Sequence, residues 1–305
     1  LFHSIFAKLL FISRRARPDI QVPIGFLGTR VACSTQEDWI KFKDVLEYLK
    51  STIDLSLTLG MDDTSLVTWW ADASYGVHLD MKSQTGGVMS LGKGATYSCS
   101  RKQKLNTVSS TEAELVGTSD ILPMMIWVRM FLDAQGLNIK SSKLHQDNKS
   151  TIQLIVNGRL SSSKRTRHIA IKFYFIKDHV DKGEIHVVYC PTENMLADFV
   201  TKPLQGKQFT RMRDVIMGVS DLSSLFASKE GVGLRAQHAI IRDENVPNKA
   251  SKNVDVALKL NADDASKDDD IDVVRGIFPA NHGILKDAGT VTRRRTYKEV
   301  LNSFE

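Results

Sequence analysis

The sequence LVTWWADAS, residues 66–74, is an apolar run that carries a single carboxylate, Asp72. Its β-branched and aromatic residues favour a strand, and the small residues Ala73 and Ser74 would let a metal ion and a phosphate approach closely. An acidic side chain in such a segment is costly to bury unless something pairs with it. Asp72 is therefore a candidate metal ligand, and an ordinary aspartate at a sheet edge is the alternative.

Three other carboxylates lie in short segments of the same kind, each at a predicted strand end or helix start. They are Glu114 in SSTEAEL (109–115), Asp147 in LHQDNKS (144–150) and Asp198 in MLADF (195–199). Two divalent cations would neutralise such a set and could support in-line phosphoryl chemistry. Taken singly, Asp147 could instead cap the following helix, and Asp198 could lie on a solvated helix face.

Two glutamates compete for the second position of this set. Ser109 and Glu112 have the spacing of a capping box, in which Glu112 reaches back to the Ser109 amide. Glu114 comes two residues later, roughly 200° around a helix, so the two carboxylates cannot serve one site equally well. We therefore assign Glu114 to the metal ions and keep Glu112 as the alternative.

The strand and helix patterns of residues 66–205 predict an α/β fold, with a mixed five-stranded sheet and helices on both faces. Three antiparallel strands come first, and two more are each reached through a helix. Right-handed crossovers place those two parallel to the first strand. The predicted strands cover 66–74, 86–91, 95–101, 143–146 and 184–190, and the predicted helices 110–135, 149–157, 166–181 and 192–201. Pro123 predicts a kink or break in the first of these helices.

The remaining residues are predicted to form two flanking parts. Residues 1–60 are helical, over about 1–17, 20–32 and 37–49, and are typical of the end of a larger domain; Gly60 and 62–65 are predicted to be a loop. Residues 206–305 form a C-terminal extension, and the polar segment 243–272 has the composition of a disordered chain. Because the chain begins with Leu1 and not with methionine, we expect residues to precede it.

Composition excludes several classes of protein. The three cysteines, Cys33, Cys99 and Cys190, have no metal-binding spacing, which argues against a zinc site or a disulfide framework and fits a reducing, intracellular compartment. We expect no apolar run to reach the length of a membrane span, so no membrane partner is predicted.

The excess of positive charge lies in residues 66–205, which carry 17 Lys/Arg and 12 Asp/Glu in a chain of net charge +6. A basic surface around an acidic pocket suits a polyanionic substrate, although a solvated lysine-rich surface is the alternative. His168 could also shuttle protons. The candidate phosphate contacts are Arg101, Lys102, Lys104, Lys164, Arg165, Arg167 and His168.

Together these segments resemble the ribonuclease H domain of copia-type long-terminal-repeat retrotransposon polyproteins. Upstream, ARPDI (16–20) and residues 39–50 resemble the last part of the reverse transcriptase, its thumb or connection. The resemblance covers about residues 1–218. Within the ribonuclease H domain it rests on ADAS (71–74), KSQTG (82–86), SRKQ (100–103), SSTEAE (109–114), DNKS (147–150), RHI (167–169) and LADFVTKPL (196–204).

The resemblance implies a ribonuclease H-like fold and cleavage of the RNA strand of an RNA–DNA hybrid. The family's metal-binding acids would correspond to Asp72, Glu114, Asp147 and Asp198, holding two Mg²⁺ ions, with Mn²⁺ as a substitute. The rest of a reverse transcriptase would be a partner, but no polymerase palm is present and no DNA synthesis is expected. This sequence departs from the family at Ala170, and His168 precedes the fifth strand, which leaves its catalytic role open.

The sequence leaves three other interpretations of this chain open. The chain could be a catalytically inactive, nucleic-acid-binding remnant of a retroelement. It could be an integrase or transposase, which would need a closing glutamate on a later helix. Met61-Asp62-Asp63 also resembles a polymerase aspartate pair, but that motif needs a hairpin between two apolar strands.

Overall fold

The computed structural model describes residues 1–61, 66–139, 141–157, 167–226 and 291–292. The described residues up to 226 belong to one compact unit. The segment 243–272, for which disorder is predicted, and the candidate contacts Lys164 and Arg165 lie outside the described residues.

Three helices precede the sheet, as the sequence predicts: α1 (Phe2–Arg15), α2 (Gln21–Gly28) and α3 (Gln36–Ser51), with short 3-10 helices at Pro18–Ile20 and Val31–Cys33. Their apolar sides pack into a core of their own, built around residues such as Leu9, Ile24 and Phe42. The assignment of residues 1–60 to a reverse-transcriptase thumb or connection stays a prediction.

A buried ion pair joins the turn after α1 to the end of α3. The side chains of Arg17 and Asp19 are both fully buried, and the guanidinium nitrogens lie 2.6 to 3.1 Å from the carboxylate oxygens. Tyr48 donates its hydroxyl to Asp19 at 2.7 Å, and Arg17 also donates to Thr52 Oγ1 at 2.7 Å. The charges are thus paired and hydrogen-bonded, which makes their burial tolerable.

The predicted mixed sheet is confirmed. The strands within the described residues are β1 (Thr58–Met61), β2 (Leu66–Ser74), β3 (Gln84–Ser90), β4 (Gly92–Lys93), β5 (Tyr97–Lys102), β6 (Ser141–Gln146), β7 (Ile185–Tyr189) and β8 (Val291–Thr292). The five strands of the mixed sheet lie in the order β5-β3-β2-β6-β7, in which neighbours among β2, β3 and β5 are antiparallel and β6 and β7 run parallel to β2. Numbered along the sheet alone, this order is 3-2-1-4-5.

Helices cover both faces of this sheet. On one face, α4 (Ser110–Ala134), α5 (Lys149–Asn157) and α6 (Arg167–Asp181) bury a core that includes Trp69 and Leu144. On the other face, the 3-10 helix Leu196–Val200 and α7 (Gly206–Ile216) pack on Trp70 and Val88. Further 3-10 helices lie at Thr192–Asn194 and Leu222–Leu225. The boundary proposed at residue 205 remains a prediction, although α7 packs in this second core.

Two local predictions were wrong, and a third was wrong in part. Residues 192–201 do not form one α-helix, because two short 3-10 helices flank Met195, which is extended. Gly60 is not in a loop, since it lies in β1 opposite Lys93. Of the kink or break predicted at Pro123, the break does not occur, because α4 runs on to Ala134.

The prediction that no segment is long and apolar enough to span a membrane was also wrong. Within the described residues, one helix, α4, meets that criterion by length and composition. Its apolar residues include Leu115, Ile121, Leu122 and Met125, which are buried in the core against the sheet. The apolarity of α4 is therefore that of a core helix.

We predict that Asp19→Ala lowers the free energy of unfolding by about 3–5 kcal/mol, because it leaves the Arg17 guanidinium buried without its main counter-charge. Urea unfolding would measure the loss. The exposed pair Lys43–Glu47 is the matched control, and Glu47→Ala should change stability little. Equal effects of the two substitutions would contradict a structural role for the buried pair.

Candidate metal centre

The sheet register brings two of the predicted acids level with each other. Leu66 lies opposite Ser141 and Trp70 opposite His145 in the parallel pair β2–β6. Two residues further along lie Asp72, within β2, and Asp147, directly after the last residue of β6. Because side chains alternate between the faces of a sheet, both carboxylates lie on the face of Trp70, which the 3-10 helix Leu196–Val200 covers.

Asp198 joins them from that 3-10 helix. The ligand oxygens of Asp72, Asp147 and Asp198 all lie within 4.8 Å of one another. Asp72 and Asp198 are each only 2% exposed, and Asp147 is half-buried. Three of the four acids singled out in the sequence are therefore brought together, and we name them the aspartate cluster.

A glycine on β3 makes this approach possible. Gly86 lies opposite Asp72 in the β2–β3 pair. A Cβ atom at Gly86 would stand 2.4 Å from Thr201 Cγ2, closer than real Cβ atoms pack, and 3.0 Å from the Ala197 carbonyl oxygen, which is a tight contact. The missing side chain of Gly86 therefore makes room for the segment that carries Asp198.

Asn148, and not Asp147, caps helix α5. The Thr151 amide donates to Asn148 Oδ1 at 3.0 Å. The Asp147 carboxylate instead accepts a hydrogen bond from the Thr192 hydroxyl, which lies 3.2 Å from its Oδ2. The capping alternative for Asp147 was therefore wrong, and so was the solvated helix face for Asp198, which is buried.

Glu114 lies beside the aspartate cluster but is not part of it. It comes from α4, on the opposite face of the sheet, and is 6% exposed. Gln146 Nε2 donates to its Oε2 at 3.2 Å, and the Ala73 backbone also bonds to it. Burial raises the pKa of Glu114 well above its usual value, and the charges of Asp72 and Asp147 add to the effect.

Glu112 is held away from the site by the start of α4. Ser109 caps the helix by accepting from the Glu112 amide at 3.2 Å, as predicted. The Glu112 carboxylate accepts from the Val108 amide at 2.9 Å. The capping box predicts the Ser109 amide as this donor, so the observed donor lies one residue earlier. Its structural role leaves Glu114 as the carboxylate of this helix that faces Asp72 and Asp147.

Burial and like charge dominate the electrostatics of the cluster. Burial raises the pKa of Asp198 to about 7, and the charge of Asp72 contributes further. The same two causes raise the pKa of Asp147. Such groups are costly to keep ionised without cations. A set of carboxylate oxygens with no sulfur or imidazole ligand suits hard cations such as Mg²⁺ or Mn²⁺.

Two residues after the 3-10 helix contact the cluster directly and were not assigned a role from the sequence. Thr201 donates its hydroxyl to Asp72 Oδ2. Lys202 Nζ lies 2.7 Å from Asp198 Oδ1. Their spacing from Asp198, three and four residues, is the signal that could have found them, because such residues share one side of a helical turn.

The structure describes the side chains of only some of the predicted phosphate contacts. Arg101 and Lys102 pair with Thr85 and Gln84, at the same sheet end as Asp72 and two strands away. Lys102 Nζ is 2.8 Å from an Asp80 carboxylate oxygen, and Arg101 donates to the Asp120 carbonyl at 3.4 Å. Lys104 has a partner as well. For Arg167 and His168 only the backbone, at the start of α6, is described.

No protein-family model matches the chain, but it is similar to retrotransposon polyproteins. The "Retrovirus-related Pol polyprotein from transposon TNT 1-94" of Nicotiana tabacum is 28% identical over 216 residues, 70% of this chain and 16% of that protein. The corresponding polyprotein from transposon RE2 of Arabidopsis thaliana is 31% identical over 63% of this chain and 13% of its own length. A Saccharomyces cerevisiae "Transposon Ty1-JR2 Gag-Pol polyprotein" is 26% identical over 65% of this chain and 12% of its own length. The chain is therefore homologous to copia/Ty1-type Pol polyproteins over about two thirds of its length, and spans less than a fifth of theirs.

Solved ribonucleases H also match the chain. RNase H1 from Halobacterium salinarum covers 43% of this chain and 90% of its own, with 11% identity and a TM-score of 0.31. LC11-RNase H1, crystallised in complex with an RNA/DNA hybrid, covers 42% of this chain and 88% of its own, with 12% identity and a TM-score of 0.32. The ribonuclease H-like architecture of this chain is visible in its own strand order.

We predict that Gly86→Ala displaces the segment that carries Asp198, because the added methyl group would overlap Thr201 and the Ala197 carbonyl. The melting temperature should fall, and stabilisation by added Mg²⁺ should weaken with it. Gly25→Ala is the matched control, since its Cβ would meet only Ser100 Oγ at 3.9 Å. A Gly86→Ala protein with the stability and Mg²⁺ response of the wild type would show that this close approach is unimportant.

We also predict that the metal-free protein is less stable at pH 8 than at pH 5. An acid whose pKa is higher in the folded than in the unfolded state stabilises the fold fully below its unfolded pKa, near 4. This contribution is lost as the pH rises through the folded pKa, about 7 for Asp198.

Thermal melts in EDTA across this pH range would measure the effect. Asp198→Asn should flatten the profile and raise the melting temperature at pH 8. Asp133→Asn, at an exposed position of α4, should leave the profile unchanged. An unchanged profile for Asp198→Asn would mean that this carboxyl titrates normally.

Proposed function

We propose that this chain, a homologue of copia/Ty1-type Pol polyproteins, is a metal-dependent endonuclease that cleaves the RNA strand of RNA–DNA hybrids. The observation that carries the proposal is the aspartate cluster: three acids distant in sequence lie within 4.8 Å of one another on a ribonuclease H-like sheet. Buried carboxylates repel one another, and a bound divalent cation would offset that repulsion.

The donor set supports divalent ions as the cofactor, with Mg²⁺ as the first candidate and Mn²⁺ as the substitute. Asp72, Asp147 and Asp198 would hold the ions, and we assign Glu114 to the same site from the opposite face of the sheet. When bound, two such ions supply a nucleophilic water of lowered pKa and neutralise charge on the reacting phosphate.

The chain's own residues contribute positioning. Thr201 fixes the orientation of Asp72 through its hydroxyl. Gln146 links the two sides of the site, because its Nε2 donates to Glu114 and its Oε1 accepts from the Asn148 amide at 2.9 Å. The backbone that follows Asp147 is thereby tied to Glu114.

Substrate binding is proposed to use the sheet end that carries Asp72. Lys102 lies two strands from Asp72, which corresponds to roughly 10 Å at the usual strand spacing. It stands opposite Gln84, which shares the face of Gly86 and Asp72 by strand alternation, so Lys102 is on the face of the aspartate cluster. A lysine there could contact a phosphate of the same duplex. Recognition should rest on minor-groove shape and the RNA 2′-hydroxyls, not on base sequence.

The inactive-remnant alternative makes a different prediction, since a remnant would bind nucleic acid without cutting it. The integrase or transposase alternative needs a glutamate on a later helix. Among the described residues after β7, the acid that enters the cluster is Asp198, on a 3-10 helix.

We predict that Asp147→Asn abolishes hybrid cleavage while the protein stays folded. The amide keeps the shape of the side chain but removes a ligand charge. The rate should fall by more than the roughly 10–100-fold typical of losing an outer-shell partner. The measurement is cleavage of a labelled RNA–DNA hybrid with and without Mg²⁺, with Asp133→Asn as the matched control.

The controls of this assay separate the candidate functions. Cleavage of the hybrid but not of double-stranded DNA supports a ribonuclease H. Hybrid binding without Mg²⁺-dependent cleavage by the wild type supports the inactive remnant. Full activity of Asp147→Asn would remove Asp147 from the site.

A further inference from the structure

The ammonium group of Lys202 lies among the members of the aspartate cluster. Its Nζ is 2.7 Å from Asp198 Oδ1 and 3.9 Å from Asp72 Oδ1. Burial lowers the pKa of Lys202, but the charges of Asp72, Asp198 and Asp147 outweigh it and leave this pKa above its usual value. One side-chain cation therefore interacts with all three carboxylates.

The local backbone explains how Lys202 reaches this position. The Lys202 amide donates to the Asp198 carbonyl at 2.9 Å, which closes a helical turn after the 3-10 helix. Residues four apart on such a turn lie on the same side. The lysine side chain is 38% exposed, whereas the carboxylates of Asp72 and Asp198 are almost fully buried. Lys202 thus reaches the cluster from the solvent side, and a path back to solvent is open.

We propose that Lys202 is a tethered counter-ion of the metal centre. Its ammonium group holds the aspartates together in the metal-free protein and moves away from the aspartate oxygens when a divalent ion binds to them. This inference rests on the proposed function, because it takes the cluster to be a metal site. Lys202 is a positioning residue that acts through the aspartates.

Lys202 and a divalent ion would compete for the same carboxylate oxygen atoms. Asp198 Oδ1 accepts a hydrogen bond from the ammonium group, and a divalent ion at the cluster would require the same oxygen. The two cations would also repel each other. Lys202 should therefore weaken metal binding and, without metal, reduce the repulsion among the buried carboxylates.

Lys202→Gln separates this role from a merely structural one. It removes the charge and nearly keeps the length of the side chain. The dissociation constant for Mn²⁺ or Mg²⁺, measured by calorimetry, should fall by roughly three- to tenfold, as expected for the loss of one partly screened ion pair. Lys202→Arg keeps the charge and should retain the wild-type constant. Lys207→Gln, at an exposed position of α7, is the control for the change in net charge.

Melting temperatures provide the second readout. In EDTA, Lys202→Gln should melt below the wild type. At saturating Mn²⁺ the difference should shrink, because tighter binding stabilises the variant more. A structural lysine would give the same loss with and without metal.

The wild-type chain offers a measurement that does not depend on the variant's folding. Nitrogen NMR of the lysine side chains should show the Lys202 signal move when Mg²⁺ is added, while the Lys207 signal stays in place. A Lys202 signal that does not respond to saturating Mg²⁺ would contradict displacement of the ammonium group.

Three results overturn the inference, and they can be told apart from failure of the proposed function. If Lys202→Gln binds metal as the wild type does, or more weakly, Lys202 is not a competitor of the metal. If the loss of melting temperature is the same in EDTA and Mn²⁺, the residue is structural. If the wild type shows no saturable metal binding, both the inference and the proposed function fail.

Discussion

The gathering of three carboxylates on one face of a sheet is the constraint on which this structure depends. Each acid is ordinary in its own segment, but together they place several negative charges within 4.8 Å in a site largely closed to water. The raised pKa values of Asp147 and Asp198 express the cost of that closeness, with burial as the larger cause in each case. The fold must therefore supply both the packing that forces the acids together and the positive charge that makes them tolerable.

The packing comes from two neighbouring glycines on β3, whose missing side chains face opposite sides of the sheet. A Cβ at Gly86 would collide with Thr201, and a Cβ at Gly87 would lie 2.5 Å from Ile121 Cδ1 of α4. The segment that carries Asp198 and the helix that carries Glu114 therefore both pack closely against β3, the strand next to Asp72. The elements that carry Asp198 and Glu114 thus approach the sheet closely from its two opposite faces.

The elements with a clear sequence pattern were predictable. The parallel direction of the last two strands followed from the alternation of strands and helices, and α5 has the predicted bounds of 149–157. The prediction failed at residues 192–201, where Leu196, Ala197, Phe199 and Val200 are all buried. With apolar residues on every side there is no amphipathic period that distinguishes an α-helix from successive 3-10 turns.

The site was predictable in its residue types but not in its details. Asp147 and Asn148 are adjacent and are both good capping residues, so only the observed bond from Thr151 decides which one caps α5. In the same way, the capping-box spacing identified Glu112 as a structural residue. Its carboxylate, however, accepts from the amide of Val108 and not from that of Ser109. Such choices depend on tertiary packing that shifts a helix start by one residue, and sequence spacing does not determine them.

The separation of Glu114 from the aspartate cluster follows from the same alternation that places Asp72 and Asp147 on one face of the sheet. Asp72 and Asp147 point to the face of Trp70, whereas their neighbours Ala73 and Gln146 serve the other side and bond to Glu114. Glu114 thus feels the charges of Asp72 and Asp147 while its oxygen is satisfied by an amide. A carboxylate held in this way is fixed near the site by the sheet itself, and its hydrogen bond to Gln146 would have to be given up for Oε2 to bind a cation.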